Sequence, residues 1–453
     1  MRINNIFFIG IAGTGMSALA QFMAGCGSKV SGSDRYFGQG QASDIREKLE
    51  AEGINCYPQD GSGIHEEIDM VVVSTAIEDS VPEVAKARSM GIPFLKRSEL
   101  LAKIGDSKRT IAIGGTSGKS TTSAMLFSIM QEAGMDPGII SGAGLVSIME
   151  QGKIGNAWVG GEWLIIEADE SDGSIVQYHP EIGVLLNIDK DHQEIDELLT
   201  IFSRFRDNTK GAFIVNRDNS LASGLSLDRN QDFCSGDTDA AGTVGEGFHQ
   251  ESMRIQFTVK NTRFSIDTLG AHNMENALAA IAVAKVLGIS TDISARALSH
   301  YKGIYRRHQY LGVKHGVHLI DDYGHNPVKC AASIRACQPV APKLIAWFQP
   351  HGYGPTRFLK DDFIREISQA LRPSDEIWMS EIFFAGGTAV KDISAADLVQ
   401  GIAANGCNAF FIENRKDLLE AVRPHLTDNC VLLLMGARDP GLETFGKEIF
   451  EQL

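Results

Sequence analysis

No Cys-x-x-Cys pair occurs among the seven cysteines, Cys26, Cys56, Cys234, Cys330, Cys337, Cys407 and Cys430. That absence excludes the ligand spacing of a zinc ribbon and of a dithiol redox centre. Their odd number and apolar surroundings suit reduced thiols packed as small hydrophobic side chains. No stretch approaches the roughly 20 apolar residues that cross a bilayer. Met1 to Gly10 reads as a short buried strand, not as a basic segment followed by a long apolar run. Export and membrane insertion are therefore not expected, and the expected compartment is the cytoplasm. A long basic run is also missing, and the net charge is −15, which argues against a general nucleic-acid binder. Short-period repeats and low-complexity tracts are absent, and nothing distinguishes a monomer from a homodimer.

What is present is an ordinary globular composition, 43% hydrophobic and 22% charged over 453 residues, enough for about three domains. Apolar strands alternate with helical patterns three times over. The first series has strands at Ile6–Ile9, Lys29–Ser31 and Met70–Val73, a helix at Met16–Gly25, and a further strand beginning near Gly91–Phe94. The run of valines reads as a strand buried on both faces. A second series opens at Thr110–Ile113 and includes strands at Trp163–Ala168 and Gly183–Asn187. Short antiparallel strands are expected from about Asn219 to Phe264, followed by a buried helix at Asn273–Leu287. The third series has strands at Val317–Ile320, Leu344–Phe348, Glu376–Met379 and Val431–Leu434. The predicted fold is α/β with parallel sheets: a Rossmann-like domain over 1–106, a central P-loop-like domain over 107–308 and a second Rossmann-like domain over 309–453. A linker is expected at Lys103–Lys108, where Gly, Asp, Ser and Lys interrupt the pattern.

The strongest chemical signal is Ile113-Gly-Gly-Thr-Ser-Gly-Lys-Ser-Thr-Thr122. A strand runs into a glycine turn and then into a helix beginning near Lys119. Backbone amides of Gly115, Thr116, Ser117 and Gly118 can converge on phosphate at a helix N-terminus. Lys119 can reach the outer phosphates, and the hydroxyl of Ser120, followed by Thr121, can ligate Mg²⁺. Only two residues separate Gly115 from Gly118, where the general motif has four. A structural turn with a capped helix is the competing reading.

Acidic segments follow the next two strands of this series, Glu167-Ala-Asp-Glu-Ser-Asp172 and Asn187-Ile-Asp-Lys-Asp-His192. Both should end at the ligand-binding edge of the sheet, where carboxylates could share a magnesium ion with bound phosphates. Near the N-terminus, Gly10-Ile-Ala-Gly13-Thr-Gly15-Met-Ser-Ala18 joins a strand to a helix, with Asp34 about 20 residues on. This turn also suits a dinucleotide-dependent oxidoreductase, a reading that leaves the Lys119 loop without a purpose. Ser74 and Thr75, after the Met70–Val73 strand, would line the same cleft.

Taken together, these segments resemble the ATP-binding motifs of the Mur ligases, the amino-acid-adding enzymes of bacterial wall synthesis. The similarity continues through Gly270-Ala-His-Asn-Met-Glu-Asn276, Arg306-Arg307, Asp321-Asp-Tyr-Gly-His-Asn-Pro327 and Phe348-Gln-Pro-His351, so it spans essentially the whole chain. It is nearest to the branch that adds alanine to UDP-N-acetylmuramate, with the branch that adds a peptide second. The resemblance implies ATP and Mg²⁺ as cofactors, with UDP-N-acetylmuramate and an amino acid or short peptide as partners. It implies an acyl phosphate intermediate formed before the amine attacks. Lys119, Glu167, His192, Arg306 and His351 would be catalytic, and Ser120, Glu167 and His192 would hold the metal, with Glu170 the alternative to Glu167. Asn276 and Arg307 would contact the nucleotide, and Asp322 or Asp321 its ribose. Gly10, Gly13, Thr14, Gly15, Met16 and Ser17 would hold the diphosphate of the sugar nucleotide, with Asp34, Ser74 and Thr75 nearby. Tyr323, His325, His351 and Arg357 would serve the acceptor.

The chain departs from this pattern in the acceptor loop. Where the alanine-adding branch continues Phe-Gln-Pro-His with Arg-Tyr-Thr-Arg-Thr-Arg, this chain has Gly352-Tyr-Gly-Pro-Thr-Arg357. Gly352 and Pro355 thus replace two arginines expected around the incoming carboxylate, whose bidentate pairing sets acceptor choice. Arg438 also stands in the glycine turn Gly436-Ala-Arg-Asp-Pro-Gly441. A ligase with another acceptor, and a nucleotide-gated binding protein without ligase activity, are the remaining alternatives.

Overall fold

The computed structural model describes residues 4–39, 43–74, 80–171, 173–189, 194–236, 241–384 and 390–453. It divides into two compact units: one comprises 1–247, 257–266 and 272–304; the other comprises 248–256, 267–271 and 305–453.

The first unit contains two α/β sheets. In the N-terminal sheet the strands lie in the order Asn55–Pro58, Lys29–Asp34, Asn5–Ile9, Met70–Val73, Phe94–Lys96. All neighbours are parallel. Strand order reverses about Asn5–Ile9, so the turn starting at Gly10 emerges at the topological switch point, where such sheets bind ligands. Phe7, Phe8, Ile9, Val71 and Val72 are fully buried, as the continuous apolar runs require when helices cover both faces.

The second sheet has the order Ala212–Val215, Ile182–Leu185, Arg109–Gly114, Trp163–Glu167, Gly138–Ile140, Ala157–Trp158. Its last pair is antiparallel and the remaining pairs are parallel. The strand that leads into the glycine turn, Arg109–Gly114, lies between the two strands whose ends carry the acidic segments. The helix Lys119–Glu132 packs behind it through Met125, Leu126, Phe127, Ile129 and Met130. Each such side chain contributes about 1.5–3 kcal/mol on burial, which anchors the helix and holds its first turn beside the loop.

Two local expectations are corrected. The segment predicted as a linker is the end of a helix, Arg97–Asp106, and only Ser107 and Lys108 precede the next strand. Ile104 is buried one turn beyond Leu100 and Leu101, so the apolar stripe continues through the residues that looked like a break. Of the short strands expected to be antiparallel, Phe233–Ser235 pairs parallel with Thr243–Gly245. It forms the edge of a four-stranded sheet with Arg254–Val259 and Thr262–Ile266. The buried helix spans Ala271–Val286 and is apolar on nearly every face.

The second unit is built on a six-stranded sheet in the order Gln309–Lys314, Val317–Asp322, Cys430–Gly436, Lys343–Gln349, Glu376–Ser380, Asn408–Ile412. The first pair is antiparallel and the others are parallel. Cys430–Gly436 is buried throughout. The two strands that sequence reading missed are the edges, where partial exposure dilutes the apolar signal. Among the described residues no helix is long and apolar enough to cross a membrane.

Candidate functional site

The glycine turn is held open by conformation and by a neighbouring asparagine. Gly115 and Gly118 have φ of 134° and 89°, the region that glycine adopts without steric cost. A Cβ on Gly118 would lie 2.3 Å from Asn276 Oδ1. Asn187, just beyond the strand paired with Gly114 through Leu185, accepts from the Ser117 amide at 2.9 Å and the Thr116 hydroxyl at 2.8 Å. Its Nδ2 donates to Ser117 O at 3.2 Å. These bonds hold the shape of the turn.

Two carboxylates from the end of the adjacent strand flank the first turn of the helix. Lys119 Nζ donates to Gly115 O at 2.6 Å and pairs with Glu170 Oε2 at 2.7 Å. Burial pushes the Glu170 carboxyl up despite the attraction of Lys119. For Asp169 burial acts in the same sense, but Lys119, Ser171 and Arg97 prevail and hold it below the usual carboxylate range. Ser120 Oγ donates to Glu167 Oε2 at 2.9 Å. The other oxygen, Oε1, accepts from Ser141 Oγ at 2.6 Å and from the Gly142 amide at 2.7 Å. The carboxylate preferred at the sequence level thus sits against the Ser120 hydroxyl, and the alternative, Glu170, sits on the lysine. A hydroxyl and a carboxylate are the hard oxygen donors that Mg²⁺ takes from protein beside phosphates. His192, the third expected ligand, lies outside the described residues, as does Thr75.

Asn276 is committed locally. Its Oδ1 accepts from Thr122 Oγ1 at 3.3 Å and its Nδ2 donates to Asn273 Oδ1 at 3.0 Å. It therefore braces the turn at Gly118 from behind. Thr121 lies between Ser120 and Thr122 in the helix's first turn.

In the N-terminal loop, Gly10 has φ of 78°, and its amide and that of Ile11 donate to Ser33 O. Asp34 takes the Ala12 amide on one oxygen and the Tyr36 amide on the other, both at 3.0 Å. Its carboxylate therefore shapes the loop that runs into the helix Thr14–Gly25 at Gly13. Met16 and Ser17 point inward, 4% and 1% exposed. A Cβ on Gly15 would meet Arg97 Nη1 at 3.2 Å. Arg97 was not singled out in the sequence. It opens the helix Arg97–Asp106 and lies against the glycine loop while acting electrostatically on Asp169. Ser74 follows the strand that pairs with Phe8 through Val72, at the same edge as Gly10.

The remaining expected residues belong to the second unit. Arg306, with φ of 53°, is buried and bound to Asp321 through Nε at 2.9 Å and Nη2 at 3.3 Å. Nη2 also donates to Gly436 O at 3.0 Å. This guanidinium ties two neighbouring strand ends together. Asp322 is likewise occupied, taking the His308 amide on Oδ1 at 2.9 Å, and the Ser333 hydroxyl at 2.6 Å and Gly324 amide at 3.0 Å on Oδ2. Burial would raise its carboxyl, but the charges of His308 and Arg307 and these bonds hold it at about 2. Arg307 stacks over the Tyr323 ring at 4.9 Å.

His325 and His351 have ring centroids 5.8 Å apart. Burial, with Lys329, Arg307 and His351 adding to it, lowers His325 to about 4. It is therefore neutral near pH 7, and its Nδ1 lies 2.9 Å from Tyr323 O. Arg357 pairs with Asp392 at 3.1 Å near the surface. Arg415, also missed by sequence reading, bonds Gln349 Oε1 at 3.1 Å and pairs with Asp439.

Comparison with known proteins agrees with this arrangement. Residues 5–109 match the family model "Mur ligase family, catalytic domain", 113–284 the Mur ligase middle domain, and 306–438 the Mur ligase glutamate ligase domain. The UDP-N-acetylmuramate–L-alanine ligase of Carboxydothermus hydrogenoformans is 31% identical over 95% of this chain and 93% of its own length. The enzyme of the same name from Desulfosudis oleivorans is 33% identical over 97% and 96%. Among solved structures, MurC of Thermotoga maritima superposes with a TM-score of 0.81 over 99% of this chain and 98% of its own, at 22% identity. The murein peptide ligase of Psychrobacter arcticus gives 0.68 over 99% and 98%, at 20% identity. Three family segments in sequence and full-length relatives above 30% identity establish that this chain belongs to the Mur ligase family.

Proposed function

We propose that the chain uses ATP and Mg²⁺ to join L-alanine to the carboxylate of UDP-N-acetylmuramate, in the cytoplasmic stage of peptidoglycan synthesis. The observation that carries this reading is the Gly115–Ser120 turn with Lys119 and Ser120 each facing a carboxylate, Glu170 and Glu167. The full-length relatives named as alanine ligases support the acceptor. The proposed division of labour gives the sugar nucleotide to residues 1–106, ATP to 107–308 and the amino acid to 309–453.

In this reading the amides of the glycine turn and the helix N-terminus hold the nucleotide phosphates. Lys119 exchanges its bond with Glu170 for one with phosphate, and Ser120 and Glu167 hold the metal. Magnesium, when bound, neutralises charge on the phosphoryl group being transferred. A carboxylate oxygen attacks the γ-phosphorus and ADP leaves, giving an acyl phosphate. The neutral amine then attacks the acyl carbon, inorganic phosphate departs, and the nitrogen loses a proton to leave an amide. Gly352 and Pro355 favour a second reading of the acceptor, a different amino acid or a short peptide.

The test is phosphate release with UDP-N-acetylmuramate, ATP, Mg²⁺ and a panel of amino acids and short peptides. Turnover with alanine supports the proposal, and turnover only with another amine replaces the acceptor while retaining the ligase. Absence of ADP formation with every combination refutes ligase activity.

A further inference from the structure

The turn that follows the strand Lys343–Gln349 is stitched to a second segment of the same unit. The Gly352 amide donates to Phe383 O and the Phe383 amide to Pro350 O, both at 2.8 Å. This backbone pairing beside His351 sets the next two side chains against each other. The rings of Tyr353 and Phe384 lie 5.5 Å apart, tilted by 60°. One ammonium sits over both rings: Lys391 Nζ is 5.0 Å from the centre of Phe384 and 5.8 Å from that of Tyr353. Tyr353 is buried, Phe384 half-buried and Lys391 exposed, so a fixed aromatic base carries a solvent-facing cation.

Charge elsewhere in the turn is already balanced. From Gly352 to Phe358 the only cation is Arg357, whose Nη2 pairs with Asp392 at 3.1 Å. Lys391, next to Asp392 in the chain, has no carboxylate partner among the described residues. Stacking on rings leaves its three N–H donors without an oxygen acceptor. It also restrains a long flexible stem, so part of the ordering that binding requires is already in place. Two other cations, Arg307 and Lys329, act on the neighbouring His325. One precedes the strand Gln309–Lys314 and the other lies in the helix Pro327–Cys337, outside this turn.

An amino acid or peptide that attacks through its amine still carries a carboxylate, and that anion needs a cation or N–H donors once it leaves bulk water. We propose that Lys391, seated on Tyr353 and Phe384, is the specificity-determining residue that binds the carboxylate of the incoming amine. The inference rests on the reading that residues 309–453 receive the amine. An ammonium is a point charge, not a planar fork, so it selects for the presence of an acid more than for its orientation. That property suits both acceptors left open by Gly352 and Pro355, an amino acid and a short peptide.

The test is the ratio of kcat/KM for alanine to that for alaninamide, which lacks the acid, measured by phosphate release on the full-length wild type, Lys391→Gln, Lys391→Arg and Lys329→Gln. Where only another amine turns over, that amine and its carboxamide take their place. The ratio should fall at least about tenfold in Lys391→Gln, the weight of one charged hydrogen bond. It should stay within about threefold of wild type in Lys391→Arg, which keeps the charge and the stacking. A merely structural role would lower both substrates alike and leave the ratio unmoved. A ratio unchanged in Lys391→Gln overturns the inference, as does a fall in Lys329→Gln alone, which would place the acid beside His325. Absence of turnover by the wild type with every amine refutes instead the ligase reading on which it rests.

Discussion

Substituting Gly118 by alanine tests the proposed bracing of the phosphate loop quantitatively. The residue has φ of 89°, and its Cβ would lie 2.3 Å from Asn276 Oδ1 and 3.2 Å from Leu186 Cδ1. The left-handed conformation costs alanine roughly 1–2 kcal/mol. Withdrawal of Asn276 to make room would break its bonds with Thr122 and Asn273, a further cost of about 1–3 kcal/mol for buried groups left unpaired. Gly118→Ala should therefore destabilise the loop and the first helical turn by about 2–5 kcal/mol. The two contributions separate in a double-mutant cycle with Asn276→Ala, which removes the obstructing atom. In that background only the backbone cost and the Leu186 contact remain, so the effect should shrink by about 1–3 kcal/mol. Native-state hydrogen exchange of the Lys119–Glu132 amides measures the local opening free energy without requiring the whole chain to unfold in one step. Equal costs in the two backgrounds would refute the proposed brace.

Other consequences follow from the same geometry. Lys119→Met should lower turnover at least about 100-fold, by analogy with loss of one charge-stabilising donor, and phosphate release measures it. The lost cation also leaves Glu170 buried and unpaired, so Glu170→Gln in the Lys119→Met protein should restore stability but not turnover. The pH dependence of stability should show two separate losses. His325, lowered to about 4, contributes stability that is present above its unfolded value of 6.5 and lost as pH falls toward 4. Asp322, held at about 2, contributes stability that is present above 3.8 and lost as pH falls through 2. Urea unfolding of His325→Phe across pH 4–7 should lack the first loss. Restoring an arginine by Gly352→Arg should destabilise the second unit by about 1–3 kcal/mol, because Gly352 has φ of 73° and ψ of 122°. Unchanged thermal stability together with a lower KM for alanine would contradict that expectation.

The sequence pattern was most informative where one physical constraint dominates. The strand Met70–Val73 and the stretch Ile111–Ile113 are continuous apolar runs, and the turn after the latter carries glycines at positive φ, Gly115 and Gly118. Three α/β series and their order were legible for that reason. The edge strands Gln309–Lys314 and Asn408–Ile412 were not, because a half-exposed edge carries no strong alternation. The helix end at Lys103–Asp106 was hidden because its polar residues are on the outside while Ile104 maintains the buried stripe.

Within the site, the local motifs Gly115–Ser120 and Glu167–Glu170 could be read directly. The long-range partners could not. Asn156 reaches Ser17 from 139 positions away, and Ser141 reaches Glu167 from 26; no local periodicity marks either. Arg306 and Asp322 were recognised as notable residues, but their commitments to Asp321, Gly436, Ser333 and His308 depend on strand pairing that spacing alone does not reveal.

The central claim is that the acid substrate is activated by phosphorylation at its carboxylate. The most direct measurement uses UDP-N-acetylmuramate carrying heavy oxygen in that carboxylate, with unlabelled ATP and alanine, and determines the isotope content of released phosphate by mass spectrometry. The account predicts one labelled oxygen per phosphate formed, because the bond that breaks when the amine attacks leaves that atom on phosphorus. Phosphate released without label, alongside amide product, would contradict it.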